Sequence, residues 1–389
     1  MSKAERHGPR ILVSSNFNDG MTLYNGLCFE FSSIIQATGN ADLCAPQARR
    51  PVPGFDLVRH RWSQARRLSG LARLPHLQRE TVGSDYDLFF YMCMNPRDLA
   101  ELKSIRGWRD RCRLAVAFVL ESWSSQLERD RAHLRLLDDF DHVFIYNRSS
   151  IQNVRRYTSA PCSFLAAGAD CLSATPYPDP PQRWVDVYSM GRRLDSAHRQ
   201  LVEMASRNEI AYLFDAGSGL RVYDFAQSRM LTHSLIKRSR YFMAYSLDAG
   251  PKATESAGEQ ALATRLFEGA AGGAVVLGTP PKASEFGEMF DWTDAVIDIP
   301  VEPDDMRAIL RNLDAQPERM KRARRMNAMH SLRRHDWVYR FEHVLATLGF
   351  DPTPGVLERK ARLRDLADRV EQQHEDESRS LSFVRGETR

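Results

Sequence analysis

The sequence predicts an α/β protein of two domains facing a cleft, followed by a C-terminal helix and a disordered tail. Three observations predict it. Short apolar runs alternate with helical patterns along most of the chain, as strands buried on both faces of parallel sheets do. A proline-rich break, TPYPDPPQ at 175–182, stops that alternation midway, and the alternation then restarts. Finally, 389 residues are more than one core ordinarily serves, and they suit two domains of common size plus a tail.

The elements follow in order. RILVSS (Arg10–Ser15) is a strand, Asn16 to Gly20 a polar loop, and a helix runs to about Thr38. Strands follow at Tyr86–Met92, Arg113–Leu120 and His142–Tyr146, with a charged helix over Glu128–Leu137 between the last two. After the break, strands are expected at Val185–Ser189, Ile210–Phe214, Arg240–Ser246, Ala274–Gly278 and Asp294–Ile299. Helices are expected at Ser196–Ser206, Tyr223–Thr232, Gln260–Ala271, Pro303–Leu313 and Gln316 to about Gly349. A last amphipathic helix covers about Gly355–Gln372, and the polar stretch Gln373–Arg389 is expected to be disordered. The domain boundaries are therefore placed at 1–175, 176–350 and 351–389. Ligands of such folds bind at the carboxyl ends of the strands, in the cleft.

Composition narrows the class. The chain is 43% apolar and 27% charged, without an apolar run long enough to span a bilayer. Met1 to Arg10 lacks the apolar core of a secretory signal, and the six cysteines form no CxxC and no Cys/His metal spacing. A cytoplasmic protein with reduced thiols and no bound metal is the expectation. Charge is unevenly spread: Arg49 to Arg79 holds eight arginines against one acid, Asp56, with Trp62, Leu68, Leu71 and Leu74 interleaved. That pattern reads either as a solvated helical face or as a surface for an anionic partner. The partner would be a phosphorylated acceptor or an anionic membrane at the inner face of the cell; no nucleic-acid motif accompanies it.

Several short stretches could carry chemistry. TRLFEGAAGGAVVLG (Thr264–Gly278) sets a lone acid, Glu268, near the end of an apolar helix before a Gly272–Gly273 turn. The macrodipole disfavours a carboxylate there, and burial adds a cost of several kcal/mol unless donors meet it. Arg265, backbone N–H groups or ligand hydroxyls are the candidate donors. YSMGRRLDSAH puts Arg192 and Arg193 just past a strand end, where two guanidinium groups suit a diphosphate or, alternatively, surface salt bridges. Lys237 and Arg240, in KRSR, form a second basic cluster of the same kind. LESW (Leu120–Trp123) puts Glu121 at a strand end, as a general base or as a helix cap. No G-x-G-x-x-G or Walker loop follows the first strand. His335 and Trp337 fall on an apolar helical stripe and read as packing.

The GRR turn, the R-x-F-E-G-A-A-x-G block, LESW, FDHVFIY, LAAGAD, YPDPPQRWVDVYSMGRR, IKRSRYF, FDWTDAVIDIP and RRHDWVYRFEHVLATLGF occur in order over about residues 110–350. Together they resemble glycosyltransferases of the GT-B fold, nearest the bacterial family-1-type enzymes related to spore-maturation proteins. The resemblance implies two Rossmann-like domains and metal-independent transfer of a sugar from a nucleotide sugar to an acceptor hydroxyl, with domain closure and no other cofactor. It implies that Glu268 holds the ribose, with Gly272 at the adjoining turn. Arg192 or Arg193, joined by His198, would hold the diphosphate; Arg265, Lys237 and Arg240 are the further donor-binding candidates that the residues themselves offer. It implies Glu121 as the catalytic base, with Asp19 as the rival, and Gly168 and Asp170 at the hinge. Related retaining enzymes carry a second Glu eight residues before the ribose ligand; here that position is Gln260, with Glu259 beside it. A non-catalytic nucleotide-sugar or glycan-binding module and a nucleotide-sugar epimerase of the same fold are the alternative readings.

Overall fold

The computed structural model describes residues 8–386 apart from 19–21, 49–57, 59–60, 63–64, 66–70, 72–73, 76, 192, 216–221 and 246–255. Two parallel sheets organise it. The first takes β1 (Arg10–Ser15), β2 (Asn40–Cys44), β4 (Tyr86–Cys93), β6 (Cys112–Val119), β7 (His142–Ile145) and β8 (Cys162–Phe164) in the order β2-β1-β4-β6-β7-β8. Two short strands, β3 (Glu80–Thr81) and β5 (Ile105–Arg106), pair beside it. The second sheet takes β9 (Val185–Ser189), β10 (Tyr212–Phe214), β11 (Ser239–Met243), β12 (Val275–Gly278) and β13 (Ile297–Asp298) in the order β10-β9-β11-β12-β13. Every recorded strand pair in both sheets is parallel.

The central strands are the ones the apolar runs predict, because both faces of a central strand must be dry. The strands that the sequence hides lie at the sheet edges. NADLC of β2 is half-buried over most of its length, and β8 is three residues, so neither shows an apolar run. The charged stretch after LESW forms short pieces, Ser124–Leu127, Arg131–Leu134 and a 3-10 turn at Arg135–Asp139, instead of one helix.

The chain then has α1 (Gly26–Thr38), α2 (Asp195–Ser206), α3 (Phe225–Lys237) and α4 (Thr264–Ala271), of which α1, α3 and α4 reach the cleft. Asp224 caps α3 by accepting from the Gln227 N–H at 3.0 Å. α5 (Met306–Asp314) follows β13. The expected long helix from Gln316 is broken at His335 into α6 (Pro317–Arg334) and α7 (Trp337–Thr347). There Asp336 caps α7 by accepting from the Val338 N–H at 2.9 Å, and the backbone bonds to Ala169 on the first unit.

α7 and the last helix, α8 (Pro354–Gly386), cross back onto the first unit. Trp337 is fully buried, stacked on Phe31 of α1 at 4.6 Å, so the packing role read from its stripe holds. The Thr353 hydroxyl donates to the Thr38 carbonyl at 2.5 Å, and Arg359 donates to Asp170 at 2.6 Å and Asp336 at 2.7 Å. Val356, Leu363, Ala367 and Val370 give α8 its buried stripe. Its backbone stays helical past Gln372, where the sequence led us to expect an end: no Gly or Pro interrupts the polar stretch before Gly386. Among the described residues no helix is long and apolar enough to cross a membrane.

Candidate active site

The carboxyl ends of both sheets open onto one cavity of about 300 Å³, at the lower end of the range for small-molecule sites. From the first unit it takes Met94, Leu120, Glu121, Trp123, Tyr146 and Asn147, which follow β4, β6 and β7. From the second it takes Met190 and Gly191 after β9, Asp215 after β10, and side chains of α3 and α4. The two sequence-predicted acids, Glu121 and Glu268, thus meet in one cavity from opposite units.

Bonds between the units hold the cavity rim. The Tyr146 hydroxyl donates to the Leu262 carbonyl at 2.6 Å. Glu259 accepts the Ser124 N–H at 2.7 Å and also takes the Ser124 hydroxyl, so this carboxylate is committed to the interface. Gln260 accepts from the Lys282 N–H and lines a separate, open recess with Arg148 and Lys282. Neither side chain lines the cavity; the chain from Ala261 to Arg265 does.

Glu268 is 2% exposed, and its partner is not the arginine one turn back. Arg229, on α3, donates to its Oε1 at 2.6 Å, because α3 packs against α4 and presents a buried guanidinium there. The Glu268 Oε2 accepts no bond from a described residue, although Glu268 lines the cavity. Arg229 also donates from Nε to Glu30 of α1 at 2.6 Å. Burial works against the Glu30 carboxylate, but Arg229 and His233 outweigh it and hold the carboxyl well below the usual range. The Gly272–Gly273 turn behind this network is tight: Gly273 has φ +56°, which a side chain would strain. Gly272 ends α4 against Ile236 and does not line the cavity.

Arg265 is instead a cavity cation. It donates to the Tyr245 carbonyl at 3.2 Å, and its buried Nε has no partner among the described residues. Burial lowers its pKa, against the pull of Glu268, Asp215 and Glu121. Gly191, at φ +73°, lets the guanidinium lie close: a Cβ there would sit 3.0 Å from Arg265 Nη1. The buried Asn147 Nδ2 and Thr22 Oγ1, on residues that line the cavity, are likewise without a described partner. Unsatisfied donors of this kind, gathered round one cavity, match a polar ligand rich in oxygen.

Other expected site residues lie elsewhere. Arg193 donates to the Asp215 carboxylate at 3.0 Å, and Asp215 also takes the Gly191 N–H at 2.8 Å, so Asp215 and not Arg193 lines the cavity. His198 pairs with the Tyr212 hydroxyl at 2.9 Å and packs on Phe214, on the outer strand. Lys237 donates to the Ser173 carbonyl at 2.8 Å, and Arg240 bonds Asp186 at 2.8 Å and also Asp314. These two stand at the start of β11, and the amino end of a parallel strand is opposite the cleft. Asp19 and Arg192 lie outside the described residues. Gly168 packs within 3.0 Å, by its would-be Cβ, of the Trp337 ring, and Asp170 caps the turn at Cys171–Ala174, so both stand where the chain passes between the units.

Sequence reading passed over Glu30, Arg229, Asn147 and Asp215. Signals exist for each. Glu30 is the one charge in GLCFEFSSIIQAT, and Arg229 stands mid-helix in FAQSRMLTHSLIK. Asn147 and Asp215 are among the first polar residues past strand ends. Among the described residues no group of three His, Cys, Asp or Glu is arranged to hold a metal ion.

Residues 230–346 match the family described as glycosyl transferase-like. No curated protein matches the chain. Among solved structures, HepE of Anabaena in complex with UDP-glucose is similar over 88% of this chain and 99% of its own, at 12% identity and a TM-score of 0.51. An α-glucosyltransferase in complex with UDP and a 13-mer DNA containing an HMU base is similar over 88% of this chain and 99% of its own, at 11% identity and a TM-score of 0.53. The family match falls on most of α3, on α4 and on the helices that follow, the part that supplies Glu268 and Arg265, while the likeness to the solved structures, over 88% of the chain, is one of fold. Residues 230–346 are thus similar to the glycosyl transferase-like family, and the two-sheet fold of the chain is like that of HepE and the α-glucosyltransferase.

Proposed function

We propose that the cavity binds a nucleotide sugar and transfers its sugar to an acceptor hydroxyl delivered from the first unit. The observation that carries this reading is the meeting of Glu121, Arg265 and Glu268 around one cavity between the units. The buried Glu268 carboxylate, with one oxygen uncommitted, is suited to accept from the ribose hydroxyls. Arg265, with its unsatisfied Nε, takes the diphosphate in place of the expected Arg193. Asn147 and Thr22, which line the same cavity, are assigned to the sugar. Glu121 accepts the proton as the acceptor oxygen bonds the anomeric carbon and the sugar–phosphate bond breaks. The nucleoside diphosphate leaves with the bonding pair, its charge met by Arg265. The site is closed by inter-unit bonds at Leu262 and Glu259, an arrangement that excludes water from the donor.

HepE is held with UDP-glucose and the α-glucosyltransferase with UDP, so uridine diphosphate sugars are the first donors to try. The acceptor is proposed to be anionic or membrane-associated and to meet the Arg49–Arg79 region at the cytoplasmic face. Most of that region lies outside the described residues, but Trp62 and Leu71 of it are exposed. The deciding experiment is a thermal-shift series with nucleoside diphosphates and their sugars, followed by a donor-hydrolysis assay with and without EDTA. A ligand at 100 times its Kd stabilises by about 2.7 kcal/mol. Stabilisation by nucleotide sugars together with slow, EDTA-resistant hydrolysis is expected. No shift with any of them refutes the donor site, and binding without any turnover over an acceptor panel favours a binding module.

A further inference from the structure

Glu30 does not line the cavity, yet it is one residue removed from the donor carboxylate. Arg229 stands between them, bonded through Nε to Glu30 Oε2 and through Nη1 to Glu268 Oε1, both at 2.6 Å. Glu30 is in turn fixed from the side away from the cavity. Its Oε1 accepts the Trp337 Nε1–H at 2.9 Å and the Asp170 N–H at 2.8 Å. His233 Nε2 lies 3.2 Å from Glu30 Oε2, and its Nδ1 pairs with the Ser173 hydroxyl at 3.0 Å. Glu30, Arg229, His233, Glu268 and Trp337 are all less than a tenth exposed.

The members come from different parts of the molecule. Glu30 is on α1 of the first unit, Trp337 is on the helix that crosses back, and Arg229 and Glu268 are on α3 and α4 of the second unit. In a dry setting a guanidinium between two carboxylates is fixed by both, and removing either leaves the geometry of the other under-determined. The orientation of Glu268 is therefore set from the first unit.

We propose that Arg229 is a positioning residue that makes the ribose grip of Glu268 depend on the first unit, through the Glu30–Arg229–Glu268 relay. With Glu30 in place, Arg229 occupies Glu268 Oε1 and leaves Oε2 for the ribose. When the units separate, the Arg229–Glu30 bond breaks, the guanidinium is drawn wholly onto Glu268, and the ribose site is lost. Donor affinity is thereby tied to the closed arrangement. This inference rests on the reading of Glu268 as the ribose ligand.

The test compares UDP with 2′-deoxy-UDP by calorimetry, with GDP and ADP and their deoxy forms as further probes. The proteins are the wild type, Glu30→Gln, Arg229→Gln and Arg229→Lys, each checked for folding by circular dichroism. Glu30→Gln keeps an oxygen to accept from Trp337 and Asp170 and puts an NH2 donor where Oε2 accepted from Arg229, so it removes both the charge and the bond that fix Arg229. The wild type is expected to prefer the ribonucleotide. Glu30→Gln is expected to lose about tenfold in ribonucleotide affinity and most of that preference, although it touches no ligand. Arg229→Gln loses at least as much, and Arg229→Lys recovers part of it. A folded Glu30→Gln that keeps wild-type affinity and preference overturns the relay and leaves Arg229 a purely structural cation. A wild type without ribose preference overturns the ribose reading itself. If Arg229→Gln does not fold, Glu30→Gln alone decides.

Discussion

Glu268→Gln is the sharpest perturbation of the proposed donor site, because it keeps the shape while removing the charge and turning the second oxygen from an acceptor into a donor. The carboxylate is 2% exposed and shares Arg229 with Glu30, so the variant leaves the guanidinium still neutralised by one carboxylate at 2.6 Å. The amide oxygen can still accept from Arg229, so the fold is expected to survive with a loss of about 1–3 kcal/mol, well short of the cost of stranding a buried charge. The ribose loses more specifically. A hydrogen bond to a charged acceptor is worth about 1.5–3 kcal/mol, which at about 1.4 kcal/mol per decade is about 10- to 150-fold in Kd. Calorimetry with a nucleoside diphosphate at a temperature well below the variant's midpoint measures it. Unchanged affinity in the folded variant would refute the assignment of Glu268 to the ribose.

Three further outcomes are expected. Glu121→Gln should keep donor affinity and lose transfer by about 100-fold or more, the usual worth of a general base; an active variant moves the base elsewhere. Arg265→Met should lower affinity for nucleoside diphosphates while leaving that for the parent nucleoside unchanged, since the role proposed for its guanidinium is to meet phosphate; equal losses for both ligands would count against that role. Stability should fall with acid in two steps. His335 is fully buried, and burial, reinforced by Arg340 and Arg334, holds its pKa well below the usual value. Its contribution is therefore present above the unfolded value of about 6.5 and declines as pH falls below it, because only the unfolded chain takes up the proton. The Glu30 carboxyl is also depressed, so its contribution begins to be lost below about pH 4.3. Thermal midpoints measured from pH 8 to 4 should flatten near neutrality in His335→Asn, and an unaltered acid profile in that variant would assign the first step to another group.

How much of this was legible in the sequence depended on burial and on distance along the chain. Central strands such as YDLFFYM and RLAVAFVL announce themselves because both faces are dry. The edge strand NADLC does not, because half of it stays wet. Glu121 and Glu268 stood out because acids at a strand end and on an apolar helix break a local pattern. The same reasoning overvalued Lys237 and Arg240: closeness to a strand was read correctly, but the end of the strand was the wrong one. It also overvalued Arg193, because its neutralising partner, Asp215, comes from the next strand and cannot be seen in local spacing.

The sequence by itself determined the two-sheet α/β plan, the order of the central strands and helices along the chain, and two acids, Glu121 and Glu268, that line the cavity. Those are set by local hydrophobic periodicity and by isolated charges, and both are properties of short stretches. Only the tertiary structure decided which arginine meets which acid. Arg265 lies three residues from Glu268 yet faces the cavity, while Arg229, thirty-nine residues away, takes the carboxylate and passes its hold to Glu30. Buried charge pairs are selected by which side chains become dry together, and that is fixed when α1, α3, α4 and α7 pack, not by the spacing of their residues.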